Sequence, residues 1–114
     1  YLGTGLSRRP RQGMIALGTA KAALEQFARY LAEELGPRGI TVNVVAPGPV
    51  EDTRMARMTD VFDDAHKQRQ VAATPLGRLA HPADVARAIA FYAGEDSSFM
   101  TGTTAAVNGG MAMD

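Results

Sequence analysis

The run Ile40-Thr41-Val42-Asn43-Val44-Val45-Ala46 is β-branched and nearly continuous in apolar character, and Pro47-Gly48-Pro49 closes it. A strand wetted on one face alternates apolar and polar residues, whereas one with almost no alternation is covered on both faces, as in a parallel sheet between helices. A helix precedes it. Leu17, Ala20, Leu24, Phe27, Ala28, Leu31 and Leu35 recur at intervals of three and four, so the spacing predicts a helix from about Met14 to Leu35, stopped by Gly36-Pro37. Downstream lie a looser helical stretch from about Thr53 to Gln70 and a turn over Pro75-Leu76-Gly77-Arg78-Leu79. Pro82 suits the first position of a further helix and Asp84 its positive dipole end, with Val85, Ile89, Tyr92 and Ala93 on one face before Gly94. A short strand, Thr103 to Val107, is closed by Asn108-Gly109-Gly110, and Tyr1-Leu2-Gly3-Thr4-Gly5 reads as the end of another strand entering a glycine-rich turn. The order strand, helix, strand, two helices, strand makes the chain α/β with right-handed crossovers. Ile40 to Ala46 and Thr103 to Val107 are then parallel and adjacent or near-adjacent in one sheet.

Nothing in the composition suits a nucleic-acid or membrane-surface protein. The chain has 114 residues, with 12 Lys+Arg balancing 12 Asp+Glu, so no overall field gathers phosphate backbones or anionic lipid. The absence of Cys removes disulfides, thiolate metal sites and cysteine nucleophiles together, and fits a reducing, cytoplasmic setting. No apolar run approaches the ~18 residues of a membrane span. Residues 1–114 read as one continuous unit without repeats or linkers, and the opening at Tyr1, read as a strand end, leads to the expectation that the chain is a portion of a larger domain.

Five segments carry a family resemblance. Gly18-Thr19-Ala20-Lys21-Ala22-Ala23-Leu24 is the first, and Leu31-Ala32-Glu33-Glu34-Leu35-Gly36-Pro37-Arg38-Gly39-Ile40-Thr41-Val42-Asn43 the second. Pro47-Gly48-Pro49-Val50, Pro82-Ala83-Asp84-Val85-Ala86, and Thr101-Gly102 through Val107-Asn108-Gly109-Gly110 complete the set, in that order. Together they resemble the C-terminal half of the short-chain dehydrogenase/reductase family, across essentially the whole chain. The resemblance implies the C-terminal half of a Rossmann-like, doubly wound parallel sheet, with NAD or NADP as cofactor and a small carbonyl or acyl substrate. It also implies a homo-oligomer, dimer or tetramer, built through the long helix and the last helix and strand; Ala16, Ala23 and Tyr30 give the long helix a second face for close contact. The family's N-terminal half, where a G-x-x-x-G-x-G turn holds the dinucleotide phosphates, has no counterpart in the chain; Gly3 and Gly5 make only a loop.

In that family a phenol and an ammonium share one helix face, because a nearby cation favours the phenolate that exchanges a proton with the substrate. Lys21 takes the ammonium's place, where it would hydrogen-bond the nicotinamide ribose. On spacing alone, Lys21, Glu25, Arg29 and Glu33 equally form a solvated ion-pair stripe at intervals of four. The phenol is absent. Leu17, four residues before Lys21, stands where 3-oxoacyl-carrier-protein reductases have their Tyr, and Met14, seven before, where the enoyl-carrier-protein reductases have theirs. Thr4, thirteen residues before Leu17, aligns with the family's catalytic Ser and keeps the hydroxyl; it reads equally as a turn residue. Tyr1 resembles the second, substrate-contacting Tyr of the enoyl reductases. Pro47, Gly48 and Val50 correspond to the turn whose backbone, in the family, meets the nicotinamide carboxamide, and Thr53, one residue later than the family's supporting Thr, follows Asp52.

Arg54 to Gln70 corresponds to the family's substrate-covering loop, in which Met55, Met58, Val61 and Phe62 are candidate acyl-pocket residues as well as candidate core. Glu51, Asp52, Asp60, Asp63 and Asp64 read as a solvated acidic surface. His66 and His81, fifteen residues apart without Cys, do not make a metal site, and Arg8, Arg9 and Arg11 form a short basic loop. Two function classes follow: a nicotinamide-dependent oxidoreductase acting on a carbonyl, 3-oxoacyl-like or enoyl substrate, and a divergent relative that keeps the scaffold for association while lacking the proton donor.

Overall fold

The computed structural model describes residues 1–58 and 63–113, with only the backbone of Met58. Helix α1 spans Ile15–Leu35, strand β1 Val44–Pro47, α2 Arg54–Met58, α3 Asp64–Ala72, α4 Pro82–Ala93 and strand β2 Thr104–Val107. β1 and β2 pair in parallel, Val44 opposite Thr104 through Pro47 opposite Val107, as the sequence leads one to expect. A parallel bridge of Leu2 with Val45 adds the opening segment on the other side of β1. The N–H of Gly3 donates to Val45 O and that of Val45 to Tyr1 O. Three parallel segments therefore end on one edge, carried by Thr4, Pro47 and Val107.

β1 is shorter than the apolar run. Asn43 replaces the ladder at its start: its Nδ2 donates to Met100 O at 2.7 Å, and its Oδ1 accepts from the Thr103 N–H and hydroxyl at 3.2 and 2.9 Å. Polar groups that a longer ladder would satisfy are met by one side chain, so regular pairing begins at Val44. Within the looser helical stretch expected from about Thr53 to Gln70, the described residues form α2 and α3; Asp63 caps α3 by accepting from the His66 N–H at 2.7 Å. Val61 and Phe62, two of the candidate pocket residues, lie outside the described residues.

Ala28 and Ala32 of α1 form a core with Val42 and Val44, flanked by half-buried Leu31 and Leu35. Small residues win this face because they let the helix axis approach the sheet closely. Phe27, expected inside, is 52% exposed, and Leu17 and Ala20 are exposed as well. α4 packs along both strands, burying Val85 and half-burying Tyr92. Ile89 and Ala93, expected on the same covered face, are exposed.

Candidate functional site at the carboxyl edge of the sheet

In open α/β sheets, ligands gather at the carboxyl ends of the strands, where loops diverge and backbone groups are left without ladder partners. Here that edge collects Thr4, the Pro47–Val50 turn and Lys21. Two residues beyond the Leu2–Val45 bridge, Thr4 and Pro47 stand at the ends of neighbouring parallel segments. Thr4 is extended (φ −161°, ψ 152°) and caps the short 3₁₀ turn Gly5–Ser7, its hydroxyl oxygen accepting from the Leu6 N–H. Lys21, in the second turn of α1, donates from Nζ to Leu2 O at 2.8 Å. The ammonium is thus pinned two residues from Thr4 with one of its three protons in use.

The Pro47–Val50 turn is fixed by its neighbours. Gly48 donates to Val107 O at 3.1 Å, and a Cβ on Gly48 would lie 3.0 Å from both Cα and Cβ of Asn108, so the residue type is set by close approach. Asn108 is itself buried, donating to Ala112 O and accepting from the Gly110 N–H. Val50 bridges Ala80 in parallel: the Ala80 N–H donates to Pro49 O and the Glu51 N–H to Ala80 O. This pattern turns the N–H and C=O of Val50 away from Ala80, leaving a donor and an acceptor side by side as an amide ligand requires. Thr53 is half-buried and accepts from the Ala56 N–H at 3.1 Å, so its oxygen is committed to α2 while its proton remains a donor.

Two expectations change at this point. The Tyr1 ring packs edge-on against Phe27, centroids 6.0 Å apart, three residues upstream of Thr4. At about 3.3 Å per residue that places its backbone roughly 10 Å behind the edge, so Tyr1 does not join the site. The stripe of alternating charge is not solvated at its first half: Lys21 is half-buried and Glu25 only 4% exposed, whereas Arg29 and Glu33 are exposed. Leu17 does fall one turn before Lys21 on α1, and Met14 is the N-terminal flanking residue of that helix. Met55, another candidate pocket residue, is 67% exposed.

A family model described as enoyl-(acyl carrier protein) reductase matches residues 4–112. The chain belongs to the short-chain dehydrogenase/reductase family. Among curated relatives, a 3-oxoacyl-(acyl-carrier-protein) reductase of Haemophilus influenzae is 46% identical over 92 residues, covering 81% of this chain and 36% of that protein. The corresponding Pseudomonas aeruginosa reductase is 43% identical over 101 residues, covering 89% of this chain and 39% of its own length. The chain therefore spans about two fifths of the length of these relatives. A short-chain dehydrogenase/reductase structure from Brucella melitensis superposes with a TM-score of 0.90 at 34% identity, over 99% of this chain and 44% of that one. The angucycline ketoreductase LanV, solved with bound NADP, gives 0.85 at 32% identity over 96% and 41%. These short-chain dehydrogenase/reductase neighbours carry the Rossmann-like α/β sheet expected from the sequence.

Proposed function

We propose that the chain is the carboxyl-edge portion of a nicotinamide-dependent reductase that converts the carbonyl of a small 3-oxoacyl-like substrate to an alcohol, in a cytoplasmic homo-oligomer. One observation carries this reading: the Lys21 ammonium is held by Leu2 O two residues before the Thr4 hydroxyl, and the adjacent parallel strand ends in a turn whose Val50 N–H and C=O have no backbone partner among the described residues. The kinship with 3-oxoacyl-(acyl-carrier-protein) reductases supports the substrate class.

The residues present fit the nicotinamide end of NAD or NADP. Val50 would meet the carboxamide through its N–H and C=O, Gly48 lets the turn lie close, Pro47 fixes its entry, Thr53 would donate to the same amide, and Lys21 would take the ribose hydroxyls. Nothing in the sequence of 114 residues fits the phosphates, for want of the glycine-rich turn. The dihydronicotinamide, when bound, supplies the hydride to the carbonyl carbon. Thr4 would then donate a hydrogen bond to the carbonyl oxygen, and the Lys21 charge would favour the negative charge that develops there. Proton delivery to that oxygen is the step for which Leu17 has no chemistry.

That gap supports a second reading, a family member kept as a scaffold. Leu17→Tyr separates the two. Under the enzyme reading it raises carbonyl reduction by ~10²-fold or more. Lys21→Ala in that background removes the gain. Brisk turnover by the unsubstituted protein, indifferent to changes at Thr4 and Lys21, would overturn the site assignment. A gain from Met14→Tyr alone, on enoyl substrates, would move the protein to the enoyl branch.

A further inference from the structure

Glu25 is a buried carboxylate for which the reading above has no use. It lies on α1 one turn beyond Lys21, 4% exposed, against the opening strand segment. Its Oε1 would be 3.5 Å from a Cβ on Gly3, and the same Cβ would come within 2.7 Å of Val44 Cγ1, so a glycine at that place keeps the strand close to the carboxylate. A charge seldom stays buried without partners, because desolvation costs more than packing returns. Glu25 has two. Ser7 donates its hydroxyl to Oε1 at 2.5 Å, and Arg8 Nη2 lies 3.6 Å from Oε2.

Both partners lie in or next to the turn that follows Thr4. The Ser7 hydroxyl is also 2.9 Å from Thr4 O, which the Ser7 N–H reaches as well, at 3.3 Å. The chain of contacts runs from helix to hydroxyl: Glu25, Ser7, the Thr4 peptide, and then Thr4 Oγ1, whose oxygen accepts from Leu6 N–H in the same turn. Gly18 makes the second point of support, since a Cβ there would stand 3.3 Å from Leu6 O. Steric contact limits how near the turn comes to α1, and the carboxylate fixes its rotation.

We propose that Glu25 is a positioning residue: acting through Ser7, it fixes the direction of the Thr4 hydroxyl relative to Lys21. The catalytic part of this inference rests on the reductase reading; the structural part does not, and the experiment keeps them apart. Three variants are compared in the full-length protein. Glu25→Gln keeps an acceptor for Ser7 and drops the charge facing Arg8. Glu25→Leu removes both, and Ser7→Ala cuts the link while leaving the carboxylate and Arg8 in place.

Amide hydrogen exchange at Leu6, Ser7 and Arg8 reports the turn directly and needs no activity. Exchange there is expected to speed by about tenfold or more in Glu25→Leu and Ser7→Ala, with little change in Glu25→Gln or in the middle of α1. In the Leu17→Tyr background, Glu25→Leu and Ser7→Ala are expected to lower kcat by up to about a hundredfold, since misplacement on the ångström scale costs that much. KM for the dinucleotide stays within about twofold, because Pro47 to Val50 is untouched. Ser7→Ala keeps the test decisive if Glu25→Leu fails to fold. Unchanged exchange in the turn overturns the proposal outright. Loosened turn amides with kcat unaltered also overturn it, by reducing Glu25 to a packing role. If no variant, including Leu17→Tyr alone, reduces a carbonyl, the reductase reading falls and the exchange data alone decide whether Glu25 holds the turn.

Discussion

At the residue scale, the best-defined electrostatic feature is Asp84. Its Oδ2 accepts from Arg78 Nη1 at 2.7 Å and from the His81 N–H at 2.9 Å, and Arg87 Nη1 stands 3.6 Å from Oδ1. The hydrogen bond from Arg78, then the one from the His81 backbone, hold the carboxyl at about 2, below its ordinary 3.8. A carboxyl lowered on folding adds stability that is complete above its unfolded value and disappears as pH falls through the folded one. The melting temperature of Asp84→Asn should therefore lie below that of the parent at neutral pH, with the gap closing between about pH 4 and pH 2. A gap that persists at pH 2 would show that the charge is not the cause. Much of this corner was legible beforehand: Pro82 followed by Asp84 announced a helix start, and His81 completes it by accepting from the Ala83 N–H. Lys21, Thr4 and the Pro47–Val50 turn were candidates for another reason, because the family resemblance of short motifs singled them out in order along the chain. Glu25 was not. A charge every fourth residue looks the same whether the stripe faces water or a turn, and only the three-dimensional position of Ser7 and Gly3 distinguishes them.

The elements show what periodicity decides and what it leaves open. α1 is apolar around more than half of its circumference, so spacing at three and four announces a helix without choosing its inner face. The choice is made by size: Ala28 and Ala32 let the helix settle against Val42 and Val44, and Phe27 is turned outward as a consequence. The outward stripe holds Ala16, Ala20 and Ala23, then Phe27 at 52% and Tyr30 at 66% exposure. Two copies packing this stripe would bury both aromatic rings around small residues, the arrangement that favours close helix contact. Phe27→Lys with Tyr30→Glu should shift the sedimentation profile to a smaller species and leave the α1 helical signal intact. An unchanged profile would place the contact between copies elsewhere. Loop boundaries were the least legible part. The starts of β1 and α3 both depend on individual side-chain bonds, from Asn43 and Asp63, that no periodicity encodes.

For the molecule as a whole, the thin core is decisive. Among the described residues only Val44 and Ser97 have side chains that are fully buried, and the remaining core residues are chiefly Ala and Val. The radius of gyration is 15.0 Å, against about 13 Å for a compact domain of this length. An α/β sheet of this kind binds a dinucleotide across its width: backbone N–H groups at a helix N-terminus, reached through a glycine-rich turn, hold the phosphates, while the distant strands hold the nicotinamide. On the reading proposed above, residues 1–114 would supply the second half of that arrangement, and the chain spans 36% and 39% of two reductases that it resembles. In the function proposed above, Lys21, Val50 and Thr53 would contribute a handful of hydrogen bonds to a small ring and one ribose, each worth about 1 kcal/mol net after water is displaced. Against the entropy of fixing a ligand with many rotatable bonds, such contacts leave little surplus. Calorimetric titration of this chain with NAD and NADP should therefore find dissociation constants near or above about 1 mM for both. Nicotinamide mononucleotide, which lacks the adenylate half, should on this reading bind about as well as either dinucleotide. Micromolar binding of NAD or NADP, or a large preference for either over the mononucleotide, would mean that residues 1–114 hold a phosphate site that the glycine spacing does not reveal.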